Sequence, residues 1–283
     1  MPMAEITIVT HAAMPEGPLD DGLLVGALAA RGVAVRTCVW DDPQVDWARS
    51  PVTVVRSTWD YHRSPNAWFD WLDRVSNATR LVNPVEVLRW NSEKSYLLDL
   101  AACGVEIVPT LLVEPGPTNL VAECRRQGWD DIVVKPAMGA SAYGARRFAG
   151  SAIVEADAHL AALLAQGRAL VQPYQASVEH ARERSLVLIA GAFSHAFAKP
   201  AFMSGLGEAD ELERIAVDEA QIAFACHAFA QAPGDALYAR VDILPTPDGL
   251  RLMELEMIEP QLAFPLHPPA LDRFADALLG RLS

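Results

Sequence analysis

Lysine is nearly absent from this chain. Among its 23 basic residues lysine occurs only three times, at positions 94, 135 and 199. An arginine-rich sequence is expected to retain lysine where a compact, flexible ammonium does what a planar guanidinium cannot, and phosphate contact is one such task. The alternative is that these lysines are chance survivors on the surface. Lys94, Lys135 and Lys199 are therefore candidate binding or catalytic residues.

Cysteine and long apolar runs are scarce as well. The four cysteines are far apart and form no CxxC pair, so neither a zinc site nor a disulfide framework is indicated. We expect reduced, buried thiols. The first residues include an acid and no basic segment, and the longest uncharged run is too short to span a bilayer. These features predict a cytoplasmic protein without a membrane partner.

Positive charge is in deficit. A net charge of −13 and an isoelectric point near 4.9 argue against a nucleic-acid backbone or an anionic membrane as the partner. We therefore expect a small-molecule ligand, bound by a monomer or homodimer. With 283 residues, 51% of them hydrophobic, the chain can build a large core and two or three subdomains.

Familiar nucleotide-binding and catalytic motifs are also missing. The sequence has no GK[ST] segment, which excludes a Walker A loop, and no GxGxxG. The segment "GASAY" is not the GxSxG elbow of a hydrolase, because Tyr143 occupies the second glycine position. None of these motifs therefore identifies the function of the loop that contains Tyr143.

What is present begins with a β-α-β pattern. Strand-like stretches at 4–10 and 33–40 flank an apolar-periodic helix at 19–32, and a third strand follows at 52–57. A break near residue 88 closes this unit. The pattern indicates an α/β protein.

A second section combines helices with strands and hairpins. It opens with a predicted helix at 92–103 and a strand at 104–113, and it includes the strands "DIVVKP" and "ALVQPY". Two predicted hairpins and two further helices complete the chain. We find no repeat, low-complexity tract or long linker.

The second predicted hairpin carries an unusual set of charges. Its strand patterns lie on either side of the turn-rich "PTPDG". Pairing that is symmetric about Asp248 places Asp242 opposite Glu254. The same pairing places Arg240 opposite Glu256, with all four charged side chains on one face.

These carboxylates need counter-charges, because like charges directly opposed across strands are destabilising. Arg240 can serve Glu256 as an ordinary cross-strand ion pair, but Asp242 facing Glu254 still requires a cation. Mg²⁺ prefers hard oxygen ligands and keeps positions open for phosphate oxygens, so three convergent carboxylates suit a metal–nucleotide site. The alternative is an amphipathic strand with solvated glutamates.

A small-residue loop follows Lys135. This lysine ends the apolar strand "DIVVKP", and the loop "AMGASAYGA" comes next. Its small residues, including Gly139, Ser141 and Gly144, would let backbone N–H groups approach phosphates closely. Taken alone, a flexible turn would have the same composition.

Taken in chain order, these motifs resemble those of the ATP-grasp superfamily, over residues 90–260. The shared features are Lys94 on a predicted helix, Lys135-Pro136 before the small-residue loop, "LVQPY", Glu183, Arg240-x-Asp242 and Glu254-x-Glu256. The resemblance implies an α/β ATP-grasp fold, in which an N-terminal Rossmann-like unit accompanies two α+β subdomains that clamp ATP. The implied domains are a substrate-side domain at 1–88, a lid subdomain at 89–170 and a metal-bearing subdomain at 171–283.

The resemblance also implies a role for each site residue and the cofactors ATP and Mg²⁺. Those implied on the ATP phosphates are Lys94, Lys135 and the lid at 137–145, with Gly139, Ser141 and Gly144. Those implied on the nucleoside are Gln172, Pro173 and Tyr174 for the adenine edge and Glu183 for the ribose. The implied metal ligands are Asp242, Glu254 and Glu256, and the candidate catalytic cations are Arg240, Lys199 and Arg56. Two positions depart from the common pattern, since Glu256 replaces Asn and Ala142 replaces a glycine.

A narrower resemblance is to the D-cycloserine ligases. It is carried by "RSTWDY", "VQPYQASVE", "FSHAFAKP" and "MELEMIEPQLAF". It implies transfer of the ATP γ-phosphate to a substrate carboxylate, followed by attack of a nitrogen on the acyl phosphate. Three alternatives stay open: a cyclo-ligase of antibiotic biosynthesis that closes a substrate such as O-ureido-D-serine, an intermolecular amide or peptide ligase, and a non-catalytic ATP-binding interaction protein.

The N-terminal unit supplies a candidate substrate anchor. Arg56 lies at the carboxyl end of its strand, where open α/β sheets bind ligands, and its planar fork suits a carboxylate. The alternative is a structural salt bridge, for example with Asp60. His195 is expected to be a structural histidine rather than a substrate hydrogen-bond donor. A loop at 203–213 is predicted to be a lid over the acyl phosphate, or else a disordered tip.

Overall fold

The computed structural model describes residues 5–199 and 212–282. The first unit of the fold is a parallel sheet with two helices. Its strands are β1 (Glu5–Thr10), β2 (Ala34–Val39), β3 (Val52–Ser57) and β4 (Arg80–Val82), in the order β2-β1-β3-β4. Helices α1 (Leu19–Ala30) and α2 (Pro65–Ser76) connect them. In α2 the apolar residues recur at helical spacing on one buried face, so the helix packs onto the sheet.

The second unit is an antiparallel sheet with two helices. Its strands are β5 (Leu111–Val113), β6 (Asp131–Pro136), β7 (Arg146–Ala149) and β8 (Ala169–Pro173), in the order β5-β8-β6-β7. The helices are α5 (Leu120–Gln127) and α6 (Ile153–Leu164). Their apolar side chains form a core of their own with this sheet, including Ile132 and Leu160. A boundary at residue 170 would divide β8.

The third unit carries the predicted hairpins. Its strands are β9 (Glu183–Ile189), β10 (Ala192–Lys199), β11 (Glu213–Arg214), β12 (Tyr238–Thr246) and β13 (Gly249–Glu256), in the antiparallel order β11-β10-β9-β12-β13. The remaining helices of the described chain are α3 (Val85–Asn91), α4 (Tyr96–Ala102), α7 (Val178–Ala181), α8 (Glu219–Ala230) and α9 (Pro269–Leu279). Both predicted hairpins are confirmed by their strand pairing.

The first and third units share one apolar core. Ile8 of β1 and Leu24 of α1 belong to the same buried cluster as Val187 of β9 and Phe274 of α9. Polar contacts follow the same line, because the buried Asp20 carboxylate accepts the backbone amides of 262–264 at 2.9, 2.8 and 3.1 Å. The parallel sheet is therefore joined to the segment that follows the charged hairpin.

Some local predictions were wrong. Lys94 was expected on a helix but lies in the turn before α4, because its backbone amide donates to the Ala137 carbonyl at 2.7 Å instead of continuing a helix. The strand expected at 104–113 is reduced to β5, since Pro109 has no N–H for a ladder. The thiols are free as expected, but only Cys124 is buried, whereas Cys38 and Cys226 are partly exposed and Cys103 is exposed.

Two further predictions concern the membrane and the lid. None of the helices in the described ranges combines the length and apolar character needed to cross a bilayer. The loop predicted at 203–213 lies, up to residue 211, outside the described residues.

Candidate active site

The charged hairpin brings three carboxylates together. As predicted, Asp242 pairs with Glu254 and Arg240 pairs with Glu256 across β12 and β13. One oxygen from each of Asp242, Glu254 and Glu256 lies within 4.8 Å of the others. This spacing allows one cation to contact all three carboxylates.

The symmetric register behind that prediction is only partly right. Next to the turn, Thr246 pairs with Gly249 and Ile243 with Leu252, so the pairing centre lies between residues 247 and 248. A β-bulge then leaves Met253 without a partner and shifts the later pairs by one residue. The bulge is what places Glu254 opposite Asp242.

Two cations neutralise Asp242, which is fully buried. Arg240 Nη2 and Lys199 Nζ lie 2.8 and 2.7 Å from Asp242 Oδ2. Arg240 also contacts Glu256, and Lys199 Nζ lies 2.6 Å from Glu183 Oε1. Burial alone would raise the pKa of Asp242, but Arg240 and Lys199 hold it below its usual range. Asp242 is therefore ionised at neutral pH, as a metal ligand must be.

Lys94 connects the hairpin to the small-residue loop. Its Nζ lies 2.9 Å from Glu254 Oε1 and donates to the Gly139 carbonyl. Burial opposes its charge, but the adjacent Glu254 raises the pKa of Lys94 above the ordinary value. The ammonium is thus fixed between a carboxylate and the loop.

Lys135 is the contrasting lysine. In the described part of the chain no carboxylate forms an ion pair or hydrogen bond with it, and burial lowers its pKa, with partial compensation from Glu254. A largely buried ammonium without an ion-pair partner is costly, and an anionic ligand would relieve that cost. Lys135 is thus suited to a phosphate.

The loop after Lys135 has the backbone that its small residues predict. Ser141, Ala142 and Gly144 all have positive φ. At Gly144 (φ +68°) a Cβ atom would lie 3.2 Å from Pro136 Cδ, so a glycine is required there. Gly139 is similar, because a Cβ atom at that position would lie 3.2 Å from Pro136 Cγ. Both glycines let the loop fold tightly over Pro136.

The same loop contacts the N-terminal unit. The Tyr143 ring lies 4.9 Å from the His62 ring, measured between centroids. A cavity of about 290 Å³ lies between this loop and the segment after β3. Another, more open cavity of about 560 Å³ lies against α6 and contains none of the clustered charges. The smaller cavity is lined by Ala140 and Ser141, which follow Gly139, the residue whose carbonyl accepts from Lys94.

The residues implied at the nucleoside already have protein partners. Gln172 is buried and donates to Thr110 Oγ1 at 2.8 Å. The Tyr174 hydroxyl donates to Glu179 at 2.8 Å, and Arg147 lies 3.4 Å from the Tyr174 ring centroid. Glu183 pairs with Lys199. These contacts hold the end of β8 and the segment that leads from it into β9 in place.

Arg56 has a different partner from the one expected. Its Nε lies 3.3 Å from Asp21 Oδ1, and its Nη2 donates to the Pro260 carbonyl at 3.1 Å. The alternative with Asp60 was wrong, because Asp60 accepts the indole N–H of Trp40 at 2.8 Å. Arg56 is only 2% exposed, and its Nη1 has no hydrogen-bond partner among the described atoms.

Two buried residues near the site are hard to recognise as site residues from the sequence. Glu259 is 8% exposed, and burial together with the nearby Glu256 raises its pKa to about 8. His62 is equally buried and lines the 290 Å³ cavity. Glu259 follows the strand and His62 follows "RSTWDY", so position alone separates them from ordinary loop residues. His195 is structural as expected, with Nε2 2.7 Å from the Leu262 carbonyl.

Comparison with solved structures identifies the fold. D-alanine–D-alanine ligase from Bacillus anthracis, complexed with ATP, has a TM-score of 0.69 at 12% identity, over 98% of this chain and 96% of that one. PsnB, an ATP-grasp ligase complexed with a minimal precursor, Mg and ADP, has a TM-score of 0.66 at 16% identity, over 98% and 97%. The fold is the ATP-grasp fold, as predicted.

The family follows from nearer relatives. Residues 6–83 match a family described as D-cycloserine synthetase DcsG, N-terminal domain. The cycloserine biosynthesis protein DcsG of Streptomyces lavendulae is 33% identical over 299 residues, covering 99% of each chain. The crystal structure of D-cycloserine synthetase DcsG has a TM-score of 0.91 at 33% identity, over 99% of this chain and 100% of that one. The chain belongs to the DcsG family and is an ATP-grasp ligase that forms C–N bonds.

Proposed function

We propose that this protein is an ATP- and Mg²⁺-dependent cyclo-ligase that closes a small amino-acid-like substrate of the O-ureido-D-serine type, giving D-cycloserine. The observation that carries the proposal is the meeting of three carboxylates with Lys94 and Lys199, next to the small-residue loop that borders a small cavity. The similarity to D-cycloserine synthetase over the whole chain supports the choice of substrate.

In this proposal Asp242, Glu254 and Glu256 hold Mg²⁺. Their donor set fits, because clustered carboxylate oxygens are the ligands that this ion prefers. The ion would supply neutralising charge for the phosphates. Lys94 and Lys199, which now pair with the carboxylates, would turn toward the nucleotide.

The nucleotide is assigned to the cleft above these groups. Lys94, Lys135 and the backbone of Gly139, Ser141 and Gly144 would contact the phosphates. Gln172, Pro173 and Tyr174 would border the adenine, and Glu183 the ribose. The unpaired ammonium of Lys135 and the positive φ angles of the loop support the phosphate assignment. Residues 1–88 would form the substrate side, 89–170 the lid and 171–283 the metal side.

The chemistry then runs in two steps. A substrate carboxylate oxygen attacks the γ-phosphorus and ADP leaves, which gives an acyl phosphate. The substrate nitrogen that is bonded to oxygen attacks the carbonyl carbon, and phosphate leaves. Hydrolysis afterwards removes the carbamoyl group from that nitrogen as CO₂ and ammonia, which leaves D-cycloserine. Arg240 and Lys199 would stabilise the phosphoryl oxygens during transfer. Arg56 could bind the substrate carboxylate only through Nη1, its unpartnered donor.

The size of the cavity favours a small substrate. Its volume of about 290 Å³ lies just below the roughly 300–1,000 Å³ typical of pockets for drug-sized ligands. Such a space suits one amino-acid-like molecule better than a peptide. This favours intramolecular closure over the alternative of an intermolecular amide or peptide ligase.

Incubation with O-ureido-D-serine, ATP and Mg²⁺ tests the proposal. We expect D-cycloserine together with equimolar ADP and phosphate, and no turnover by Glu254→Gln. ADP and phosphate release that appears only after a second amine is added would indicate the intermolecular ligase. Tight ATP binding without turnover on any amino-acid-like carboxylate would favour the non-catalytic alternative.

A further inference from the structure

His62 is a buried side chain without hydrogen bonds. It is 8% exposed, and neither Nδ1 nor Nε2 has a hydrogen-bond partner among the described atoms. Buried polar side chains are normally satisfied, so one that is not calls for an explanation such as a missing ligand. Its position between Tyr61 and Arg63 places it in the short 3-10 helix after β3.

His62 is one of the residues that line the 290 Å³ cavity, and its two nitrogens lie covered beneath that wall. Two other polar groups in that wall are already engaged, since Asp60 accepts the Trp40 indole N–H at 2.8 Å and His11 Nδ1 lies 2.7 Å from the Ser57 carbonyl. Ser141 and Tyr143 of the small-residue loop form the opposite side. His62 thus offers unused hydrogen-bonding capacity on the substrate side of the cleft.

The surroundings keep this imidazole neutral. Burial lowers its pKa, and the cations Arg63 and Lys94 lower it further. Asp60 and the nearby backbone of Trp59, which lies outside normal hydrogen-bond geometry, oppose them. A neutral imidazole nitrogen can accept a proton, which makes the side chain a competent base near neutral pH.

Contact with the loop fixes the ring. The Tyr143 and His62 centroids are 4.9 Å apart, with the planes tilted by 46°. Tyr143 lies between Ser141 and Gly144, which are both proposed to bind phosphate. The position of His62 is therefore coupled to the state of the loop that would cover the nucleotide.

We propose that His62 binds the attacking nitrogen of the substrate and accepts its proton in the second step. This proposal rests on the proposed function. The nitrogen lone pair forms the new C–N bond with the acyl phosphate carbonyl carbon, and the bond from that carbon to the phosphate oxygen breaks. The N–H proton moves to the unprotonated nitrogen of His62, and inorganic phosphate leaves. His62 then returns the proton to solvent.

The two half-reactions can be separated with hydroxylamine, a strong external nucleophile that intercepts acyl phosphates as hydroxamates. Removal of a general base costs about 10²–10⁴-fold in rate. For His62→Ala with O-ureido-D-serine, ATP and Mg²⁺, we expect cyclised product to fall at least 10²-fold. Hydroxamate formed in the presence of hydroxylamine should stay within about threefold of the wild type, because the first half-reaction does not use the base.

Matched variants keep the result interpretable. His227→Ala removes a histidine on α8, far from the cavity in sequence and fold, and should leave both rates unchanged. His62→Gln retains hydrogen bonding without a titrating base, so it should keep KM near the wild-type value and lose kcat. It also replaces His62→Ala if that variant fails to fold.

The outcomes distinguish the two proposals. Unchanged cyclisation by His62→Gln would overturn the role of His62. An equal loss of cyclised product and hydroxamate would overturn it as well, because the defect would then lie before nitrogen attack. Absence of hydroxamate with the wild-type enzyme would instead count against the proposed acyl phosphate chemistry itself.

Discussion

Two buried arginines, Arg56 and Arg240, show how similar burial can serve different ends. Their exposed fractions are 2% and 5%, and each faces an aspartate. Arg56 pairs with Asp21 and packs near the rings of Tyr238 and Phe274, with centroids 5.2 and 5.9 Å from its guanidinium carbon. Its surroundings are mostly those of a protein core.

Arg240 stands among charges instead. It shares Asp242 with Lys199, and it also contacts Glu256, whose side chain is 22% exposed. The Arg56–Asp21 pair is enclosed by packed side chains. Arg240 has two carboxylate partners, so one carboxylate can bind a ligand while the other still neutralises the arginine. The comparison indicates that the number of neighbouring charged groups, rather than the exposed fraction, distinguishes the arginine of the candidate site from the arginine of the core.

The largest expected effect is on turnover at the charged cluster. Glu254→Gln makes one proposed metal ligand neutral without a change in volume, so ADP release should fall by at least about 10²–10³-fold. The melting temperature should change little, since the Glu254 side chain is 27% exposed. Glu106→Gln, at an exposed ion pair with Arg251, is the matched control. Full activity of Glu254→Gln would refute the metal assignment.

The second effect concerns the stability conferred by Arg56. Arg56→Met leaves Asp21 buried without its partner, which costs about 3–5 kcal/mol in the free energy of unfolding. Urea denaturation measures the loss, and adding Asp21→Asn should recover part of it. The kcat of the folded enzyme should be retained. A raised KM with unchanged stability would show instead that Arg56 anchors the substrate.

The third effect is a pH dependence in the structural region near Arg56. Burial lowers the pKa of His195 to about 4, while its Nε2 donates to the Leu262 carbonyl. The unfolded pKa is near 6.5, so the neutral form stabilises the fold fully above about pH 6.5 and loses about 3 kcal/mol as the pH falls from there to 4.

The variant His195→Gln isolates that contribution. It keeps a donor for the Leu262 carbonyl and removes the titrating group. His267, whose ring centroid is 5.2 Å away, and Arg214 remain and serve as an internal control. Unfolding free energies measured between pH 4 and 7 should differ less in the variant than in the wild type. Equal slopes would contradict the structural role.

The smallest effect is expected at Lys135. Lys135→Ala removes a charge-assisted contact worth about 1.5–3 kcal/mol, so calorimetry should show ATP binding weakened by about 10–150-fold. Arg125→Ala, which removes an exposed cation from α5, should leave the affinity unchanged. An affinity equal to that of the wild type would support the alternative that Lys135 is retained by chance and does not contact ATP.

The sequence predicted best where short-range geometry decides. A tight turn and alternating side chains predicted the hairpin and the pairing of Asp242 with Glu254, but this pairing also depends on a bulge at Met253 that leaves no local signal. Contacts between residues that are far apart in the sequence could not be predicted. Asp21 lies 35 residues before Arg56, and only the packed fold selects it over the nearer Asp60.

Lys94 and His62 illustrate the same limit. A helix was expected at Lys94 from apolar periodicity, but a tertiary hydrogen bond to Ala137 decides its backbone. The unsatisfied nitrogens of His62 become visible only when all neighbours are in place. Function-bearing residues on loops are thus the least accessible to pattern reasoning.

The apolar core shared by the first and third units also bears on how the protein folds during synthesis. Ile8 and Leu24 emerge from the ribosome early, whereas Phe274, which belongs to the same cluster, is made more than 240 residues later. Such non-local contacts close slowly, and the surface that awaits them stays exposed in the nascent chain. The β-α-β unit therefore depends on late-synthesised α9 to bury its apolar face, and chaperones that shield hydrophobic segments are expected to assist it until then.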